Sequence, residues 1–317
     1  MTTKHVISVS GGKDSTALLL EALSRCPPES VIPIFCDTGN EHVSTYAYLD
    51  YLEQALDIKI VRLKADFSEE IAAKRRFIAR DVRTARKDGQ RVRWTNKAKR
   101  RALEALKPTG NPFVDLCLWK GRFPSRLAQF CTQELKRNVA VLFQMDLIDQ
   151  GYSVISWQGV RRDESVNRRK ARKFERIGPR LRAFRPLVDW TAQQCFERHR
   201  VAGILPNPLY RQGMSRVGCL PCIHCGKAAI REIAARFPDE IERIAKMERL
   251  VSRASKRGFS TFFHKWTHAP GERRLDIFAM ENVQAIVEWS RTRRGGRQLD
   301  LLSPNPEMCA SAYGLCE

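Results

Sequence analysis

Apolar residues in the first sixty positions form short unbroken runs alternating with helical patterns. Val6-Ile7-Ser8-Val9 reads as a buried strand, Ser15–Arg25 as a helix and Val31–Cys36 as a second strand. His42–Leu56 carries apolar and aromatic residues at helical spacing, and Ile58–Leu63 is a third strand candidate. Gln133–Ile148 reads as a helix, and Ser153–Gln158 as a strand running into Gly159. Alternation at this spacing predicts βαβ units, and hence an α/β fold with a mostly parallel sheet.

The rhythm breaks between about residues 67 and 130. Glu69–Arg86 and Asn96–Leu106 have the pattern of basic helices, and Lys107–Pro112 has loop punctuation. This block reads as a basic insertion in a first domain, 1–226. A helical C-terminal region, 227–317, follows. In it, Lys227–Arg257 is amphipathic and interrupted at Phe237-Pro238, and a basic, flexible tail from Arg291 ends in two cysteines. Before it, Trp190–Arg200 reads as a helix and Leu205–Arg211 as a Pro-rich loop.

A chain of 317 residues with net charge +21 favours a polyanionic partner, nucleic acid first. The charge is concentrated: Lys74–Arg101 holds thirteen Lys and Arg against two Asp, and Arg161–Arg185 eleven against three acidic residues. Two such segments exceed what one nucleotide needs. No apolar stretch reaches the roughly 18 residues of a membrane span, and no basic-then-apolar leader precedes the first strand. The expectation is a cytoplasmic protein with no membrane contact.

The candidate chemistry begins at Ser10-Gly11-Gly12-Lys13-Asp14-Ser15-Thr16, between the first strand and the first helix. Glycines there let the backbone approach a ligand, and free N–H groups of the first helical turn make an anion pocket. Ser10, Ser15 and Thr16 add hydroxyls, Lys13 adds charge, and Asp14 can orient a metal or the loop. Asp37, at the end of the second strand, is placed for a ribose, an adenine edge or magnesium, or else for a helix N-cap. Gly159-Val160-Arg161-Arg162-Asp163-Glu164-Ser165 follows another strand. Its Arg161 suits phosphate or sulfate oxygens bidentately, and Glu164 an orienting role; the plainer reading is a solvated charged loop.

Ten cysteines in a chain of this type read as metal or catalytic sites rather than a disulfide scaffold. Cys219 and Cys222 have C-x-x-C spacing, Cys131 is a distant partner, and the fourth ligand would come from Cys225, Cys309 or Cys316. Zinc, an iron–sulfur cluster and a metal-free dithiol all remain open, as does Cys131 as a persulfide carrier. Cys26, Cys36, Cys117 and Cys195 read as packing residues.

The string SGGKDST resembles the PP-loop of the ATP pyrophosphatases and adenine-nucleotide α-hydrolases. With DTGNEH, GRFPSRLAQFCTQELK, GVRRDES, RPLVDWT and LPNPLYRQGMSRVGCLPC in this order, the chain is similar to the phosphoadenosine-phosphosulfate reductase family from about residue 6 to residue 226. The resemblance implies a Rossmann-like, doubly wound, five-stranded sheet. It puts Ser10, Gly11, Gly12, Asp14 and Ser15 at phosphates, Asp37 near the nucleoside and Arg161 near the transferred group. It also makes Cys131, Cys219 and Cys222 ligands of a [4Fe-4S] cluster.

Reductases of that family end in a Glu-Cys-Gly-Leu-His motif, whereas this chain ends Tyr313-Gly314-Leu315-Cys316-Glu317; cluster-bearing reductases have Cys-Cys where this chain has Phe130-Cys131. The reading favoured here is therefore the branch that activates an oxygen with Mg2+ and ATP and replaces it by sulfur, on DNA or tRNA, with a sulfur donor such as a cysteine desulfurase. Lys13, Asp14, Arg161 and Cys131 would be catalytic. The alternatives are reduction of an adenylyl sulfate with release of sulfite, and a zinc-stapled module that binds nucleotide and nucleic acid without turnover.

Overall fold

A computed structural model describes residues 2–81, 94–263 and 274–293. The chain opens with β1 (Thr3–Ser8), α1 (Lys13–Arg25), β2 (Val31–Asp37), α2 (Val43–Leu56) and β3 (Val61–Lys64). Helices α3 (Ser68–Arg80), α4 (Asn96–Ala105), α5 (Pro112–Lys120) and α6 (Phe130–Thr132) follow, then a wide π-helical segment (Gln133–Arg137) and α7 (Asn138–Asp149). Next come β4 (Ser153–Trp157), β5 (Phe174–Arg176), β6 (Leu181–Phe184), α8 (Ala192–Val201) and α9 (Pro208–Arg211). The described chain closes with α10 (Lys227–Arg236), α11 (Pro238–Ala254), α12 (Arg274–Glu281) and α13 (Val283–Arg291). No helix among the described residues is long and apolar enough to cross a membrane.

The described parts of Met1–Ala65 and Thr132–His224 form one compact unit. Its sheet has the order β3-β2-β1-β4-β6-β5. The first five strands in that order are mutually parallel, and β5 pairs antiparallel with β6 at the edge. The mostly parallel α/β sheet is the one expected, with a sixth strand added to the expected five. All three residues of β5 are exposed, so no apolar pattern announced it.

Side chains alternate across the pleat, and both faces are buried. Ile7, Phe35 and Trp157 pack with α1 residues Leu18 and Leu19 and α2 residues Leu49 and Leu52. Their neighbours Val6, Ile34 and Val154 face the other way, against Ala140 and Leu147 of α7. This two-sided burial makes β1, β2 and β4 legible as apolar runs. Of the four cysteines expected in packing roles, Cys36, Cys117 and Cys195 are buried and Cys26 is half-buried.

The described parts of Asp66–Cys131 and Cys225–Gly296 form a second compact unit, entirely helical. Helix α11 packs on α4, α5 and α13. Phe113, Phe123, Phe262 and Phe263 form an aromatic centre with ring centroids 4.9 to 6.4 Å apart. Glu248 of α11 is buried and accepts the backbone N–H groups of Phe262 (2.8 Å) and Val283 (2.9 Å). Lys74 of α3 donates to the last carbonyls of α5, Leu118 and Trp119, each at 2.8 Å, where a cation suits the helix dipole.

Several boundaries differ from the sequence reading for local reasons. Helix α3 ends at Arg80, and residues 82–93 of the basic run lie outside the described residues. Asn111 caps α5 by accepting the Val114 N–H, and Pro112 takes the first helical position. The Asn-Pro pair that reads as loop therefore starts a helix. Pro208 starts α9 in the same way, inside the expected Pro-rich loop. Helices α10 and α11 divide at Phe237-Pro238, where the interruption was expected. The tail from residue 294, with Cys309 and Cys316, lies outside the described residues.

Candidate functional site

The chain runs from β1 outward through β2 to β3, then returns to lay β4 on the other side of β1. The strand order therefore reverses between β1 and β4, and their C-terminal ends open a crevice of the kind where open α/β sheets bind ligands. Ser10–Asp14 leaves β1 at this point, and Gly159–Arg161 leaves β4. The Asp37 turn leaves β2, the next strand along.

In the first loop, Gly11 has φ +81°, a left-handed conformation that only glycine adopts without strain. A Cβ there would meet Thr45 Cγ2 at 3.1 Å. Asn207 Nδ2 donates to the Gly11 carbonyl at 3.1 Å. Gly12 precedes α1 and offers no side-chain cap, at a helix start of the kind whose first-turn N–H groups can meet an anion. The Lys13 N–H donates to the Tyr210 hydroxyl at 2.9 Å. Ser15 Oγ accepts the Ser10 N–H at 3.0 Å, lies 3.1 Å from Ser10 Oγ and donates to the Gly12 carbonyl, folding the loop onto its helix. Thr16 is buried, and its hydroxyl has no hydrogen-bond partner among the described residues.

Asp14 is fully buried between two cations. Its Oδ1 lies 3.0 Å from Arg161 Nε, and its Oδ2 lies 3.2 Å from Lys13 Nζ. Arg161 also pairs with Asp163 at 2.6 Å. Burial works against the Arg161 charge, but Asp14 and Asp163 outweigh it and raise its pKa. Gly159 is packed against the Asp14 backbone, with a Cβ position 3.6 Å from the Asp14 carbonyl. Glu164 forms an ion pair with Arg168. On the other side of the loop, buried His199 contacts the Lys13 carbonyl through Nε2 at 2.9 Å. A carbonyl only accepts, so Nε2 carries the proton, and burial lowers the ring's pKa.

Asp37 Oδ1 accepts both the Gly39 N–H (2.9 Å) and the Tyr46 hydroxyl (2.7 Å), leaving Oδ2 outside these bonds. Glu41 is buried and accepts from Thr38 Oγ1 at 2.7 Å; burial pushes its carboxyl pKa up. The Cys-x-x-Cys segment docks on this turn. Glu41 and Cys219 form an antiparallel bridge, the Leu220 N–H donates to the Asn40 carbonyl, and Asn40 Nδ2 donates to the Pro221 carbonyl. Cys219 Sγ lies 3.7 Å from Thr38 Oγ1 and 3.8 Å from Glu41 Oε1.

The fold thus gathers Ser10, Gly11, Gly12, Lys13, Asp14, Ser15, Gly159 and Arg161 into one constellation, with Asp37 on the adjacent strand end. It adds Tyr210, His199 and Asn207, which sequence reasoning had not singled out. Asn207 and Tyr210 fall in the NPLY string of one matching motif, and His199 lies outside all of them. Among the described residues, no group of three or more His, Cys, Asp or Glu side chains is placed to hold a metal ion. Of the expected ligand set, Cys219 and Cys222 belong to the first compact unit, and Cys131 and Cys225 to the second. The two further candidates, Cys309 and Cys316, lie outside the described residues.

A family model described as the phosphoadenosine phosphosulfate reductase domain matches residues 4–225. An uncharacterized 37.8 kDa protein of Escherichia phage 186 is 45% identical over a 332-residue alignment, covering 100% of this chain and 97% of that one. An uncharacterized nin region protein of Escherichia phage lambda is 27% identical over 239 residues, covering 74% of this chain and 70% of its own. Among solved structures, the chain is similar to a phosphoadenylyl-sulfate reductase of Candida auris in a phosphate complex. That match has a TM-score of 0.41 and 16% identity, and covers 69% of this chain and 82% of the other. On the extent of the family match and the full-length phage relative, the chain belongs to the phosphoadenosine phosphosulfate reductase family.

Proposed function

We propose that this chain is an enzyme acting on an adenine nucleotide at the β1–β4 crevice. Its substrate would be ATP, with an oxygen of DNA or tRNA attacking the α-phosphorus. The bond from that phosphorus to the bridging oxygen breaks, pyrophosphate leaves, and the acceptor oxygen becomes adenylylated as its proton passes to solvent. The observation that carries this reading is the Gly-Gly start of α1 with Lys13 and Arg161 held around buried Asp14.

Each residue has a separate task. First-turn N–H groups receive the departing phosphates. Lys13 and Arg161 stabilise charge that grows as pyrophosphate leaves, and a preorganised cation does this without a reorganisation cost in the step itself. Asp14 holds both cations in place. His199 and Asn207 fix the carbonyls of Lys13 and Gly11. A magnesium ion accompanying ATP would neutralise phosphate charge. Both Asp14 oxygens already face cations, so Asp37, with Oδ2 unengaged, is the carboxylate that would hold it. Replacing the activated oxygen by sulfur needs a separate donor such as a cysteine desulfurase. That half of the reading rests on the sequence resemblance, with nucleic acid as acceptor on the +21 charge.

The test is pyrophosphate release from Mg-ATP by the full chain, with and without DNA or tRNA. Stimulation by one nucleic acid is expected, as is loss of release in Lys13→Ala and Asp14→Ala. Unchanged release in both variants would overturn the loop assignment. Sulfite release from an adenylyl sulfate, with none of pyrophosphate from ATP, would move the chain to sulfonucleotide reduction.

A further inference from the structure

The second unit contains a cavity of about 910 Å3 that the nucleotide chemistry leaves unused. Ligand pockets run to about 300–1,000 Å3, so this one is large enough for a nucleotide-sized group. Its lining combines aromatic rings with cations. Phe77 of α3 lines it while 59% exposed. An apolar ring open on a helix surface gains free energy when a ligand covers it. Around it lie Trp94, Trp119, Lys120, Arg122 and Lys256. Five Lys and Arg line the cavity against two carboxylates, Glu70 and Glu281.

The cations are positioned by the rings. Lys120 Nζ stands 3.5 Å from the Trp119 ring centroid, and Lys256 Nζ 5.7 Å from that of Trp94. The Arg122 guanidinium lies 5.6 Å from the Phe130 ring. Trp119 is itself stacked on Phe67 at 5.6 Å and 25°. Each cation head is thus held at an aromatic face. An open aromatic ring flanked by such cations is the chemistry that binds an unpaired base and its phosphates: rings take the base face, and lysines and arginines take the backbone. A base inside a duplex has no free face to offer.

We infer that this cavity is a binding site for single-stranded nucleic acid, with a base stacked on Phe77 and the adjoining phosphates at Lys120, Arg122 and Lys256. It shares with the reading above only the class of partner, and needs no nucleotide in the β1–β4 crevice.

The test is fluorescence anisotropy of the full chain with a labelled 12-nucleotide single strand and with the matching duplex, without ATP and over a series of salt concentrations. Tighter binding of the single strand is expected. Phe77→Ala should weaken it about 10-fold at unchanged salt slope, since stacking carries no counterions. Lys120→Ala and Arg122→Ala should each flatten the slope by about 0.7. Lys246→Ala, on the exposed face of α11 away from the cavity lining, should change neither. Thermal melts check that each variant folds; Phe77, being exposed, should melt with the wild type when replaced. Equal affinity for the duplex, wild-type affinity in Phe77→Ala, or an equal loss in Lys246→Ala would overturn the inference. Lys13→Ala should bind the strand normally while failing in pyrophosphate release, so each assignment fails or stands alone.

Discussion

The carboxylate of Asp14 and the guanidinium of Arg161 meet at 3.0 Å inside the first unit, joining the loop after β1 to the loop after β4. Both side chains are almost completely buried. Removing Arg161 leaves buried Asp14 with Lys13 alone, and breaking a buried pair from one side costs up to about 3–5 kcal/mol. Arg161→Ala is therefore expected to lower unfolding stability on that scale in urea titrations. Pyrophosphate release should fall by about 100-fold or more, because a fixed cation at the developing charge is removed. Arg161→Lys should recover part of the stability and little of the rate, since an ammonium cannot reach Asp14 and phosphate with a planar fork. Full activity in Arg161→Ala would remove this residue from the chemistry.

Gly11 and Gly12 should respond differently to alanine. Gly11 sits at φ +81° with Thr45 Cγ2 3.1 Å from a prospective Cβ, and a left-handed non-glycine residue costs roughly 1–2 kcal/mol. Gly12 has φ −86°, backbone that any residue adopts. Gly11→Ala should lower the melting temperature and weaken nucleotide binding by calorimetry, whereas Gly12→Ala carries no such conformational cost. Equal melting temperatures for the two would refute the distinction.

Tyr210 occupies a donor that a phosphate oxygen would otherwise take, the Lys13 N–H. Its ring also stands 6.0 Å from Lys13 Nζ. Binding at the loop must displace or share this hydroxyl. Tyr210→Phe removes the internal acceptor and keeps the ring, so ATP affinity should rise a few-fold. A weaker Kd in Tyr210→Phe would show instead that the hydroxyl donates to bound nucleotide.

Glu248 gives the second unit a pH dependence. Burial pushes its carboxyl up to about 7 from 4.5, against the pull of the Phe262 and Val283 N–H groups. The fold thus favours the protonated form. This contribution to stability is complete below about pH 4.5 and is lost as pH rises towards 7. The shift corresponds to about 3 kcal/mol. The stability difference between wild type and Glu248→Gln, from denaturant titrations, should therefore shrink across that window. A difference that stays constant with pH would place the carboxyl in its ordinary range.

The legible parts of the fold are those where one local pattern dominates. Val6–Val9 and Val31–Cys36 read as strands because both faces of the sheet are covered there. Leu181–Phe184 went unread because it lies within a run of arginines, and only Leu181 and Ala183 of it turn inward. Helix α5 is buried on nearly every side, so it carries no amphipathic period to find. At the site, SGGKDST declared itself because its residues act through backbone geometry set within a few positions. Tyr210, His199 and Asn207 act on that loop from far along the chain, and no local pattern shows that they reach it.

The sequence by itself determined the strand–Gly-Gly–helix turn, its hydroxyls and cations, and the parallel α/β order, because φ/ψ preference and apolar periodicity are local properties. Only the tertiary structure decided that Asp14 is spent on Lys13 and Arg161 while Asp37 keeps an oxygen open, and that Cys219 faces Glu41. Which partners a buried charge or thiol meets depends on long-range packing, and chain spacing does not encode it.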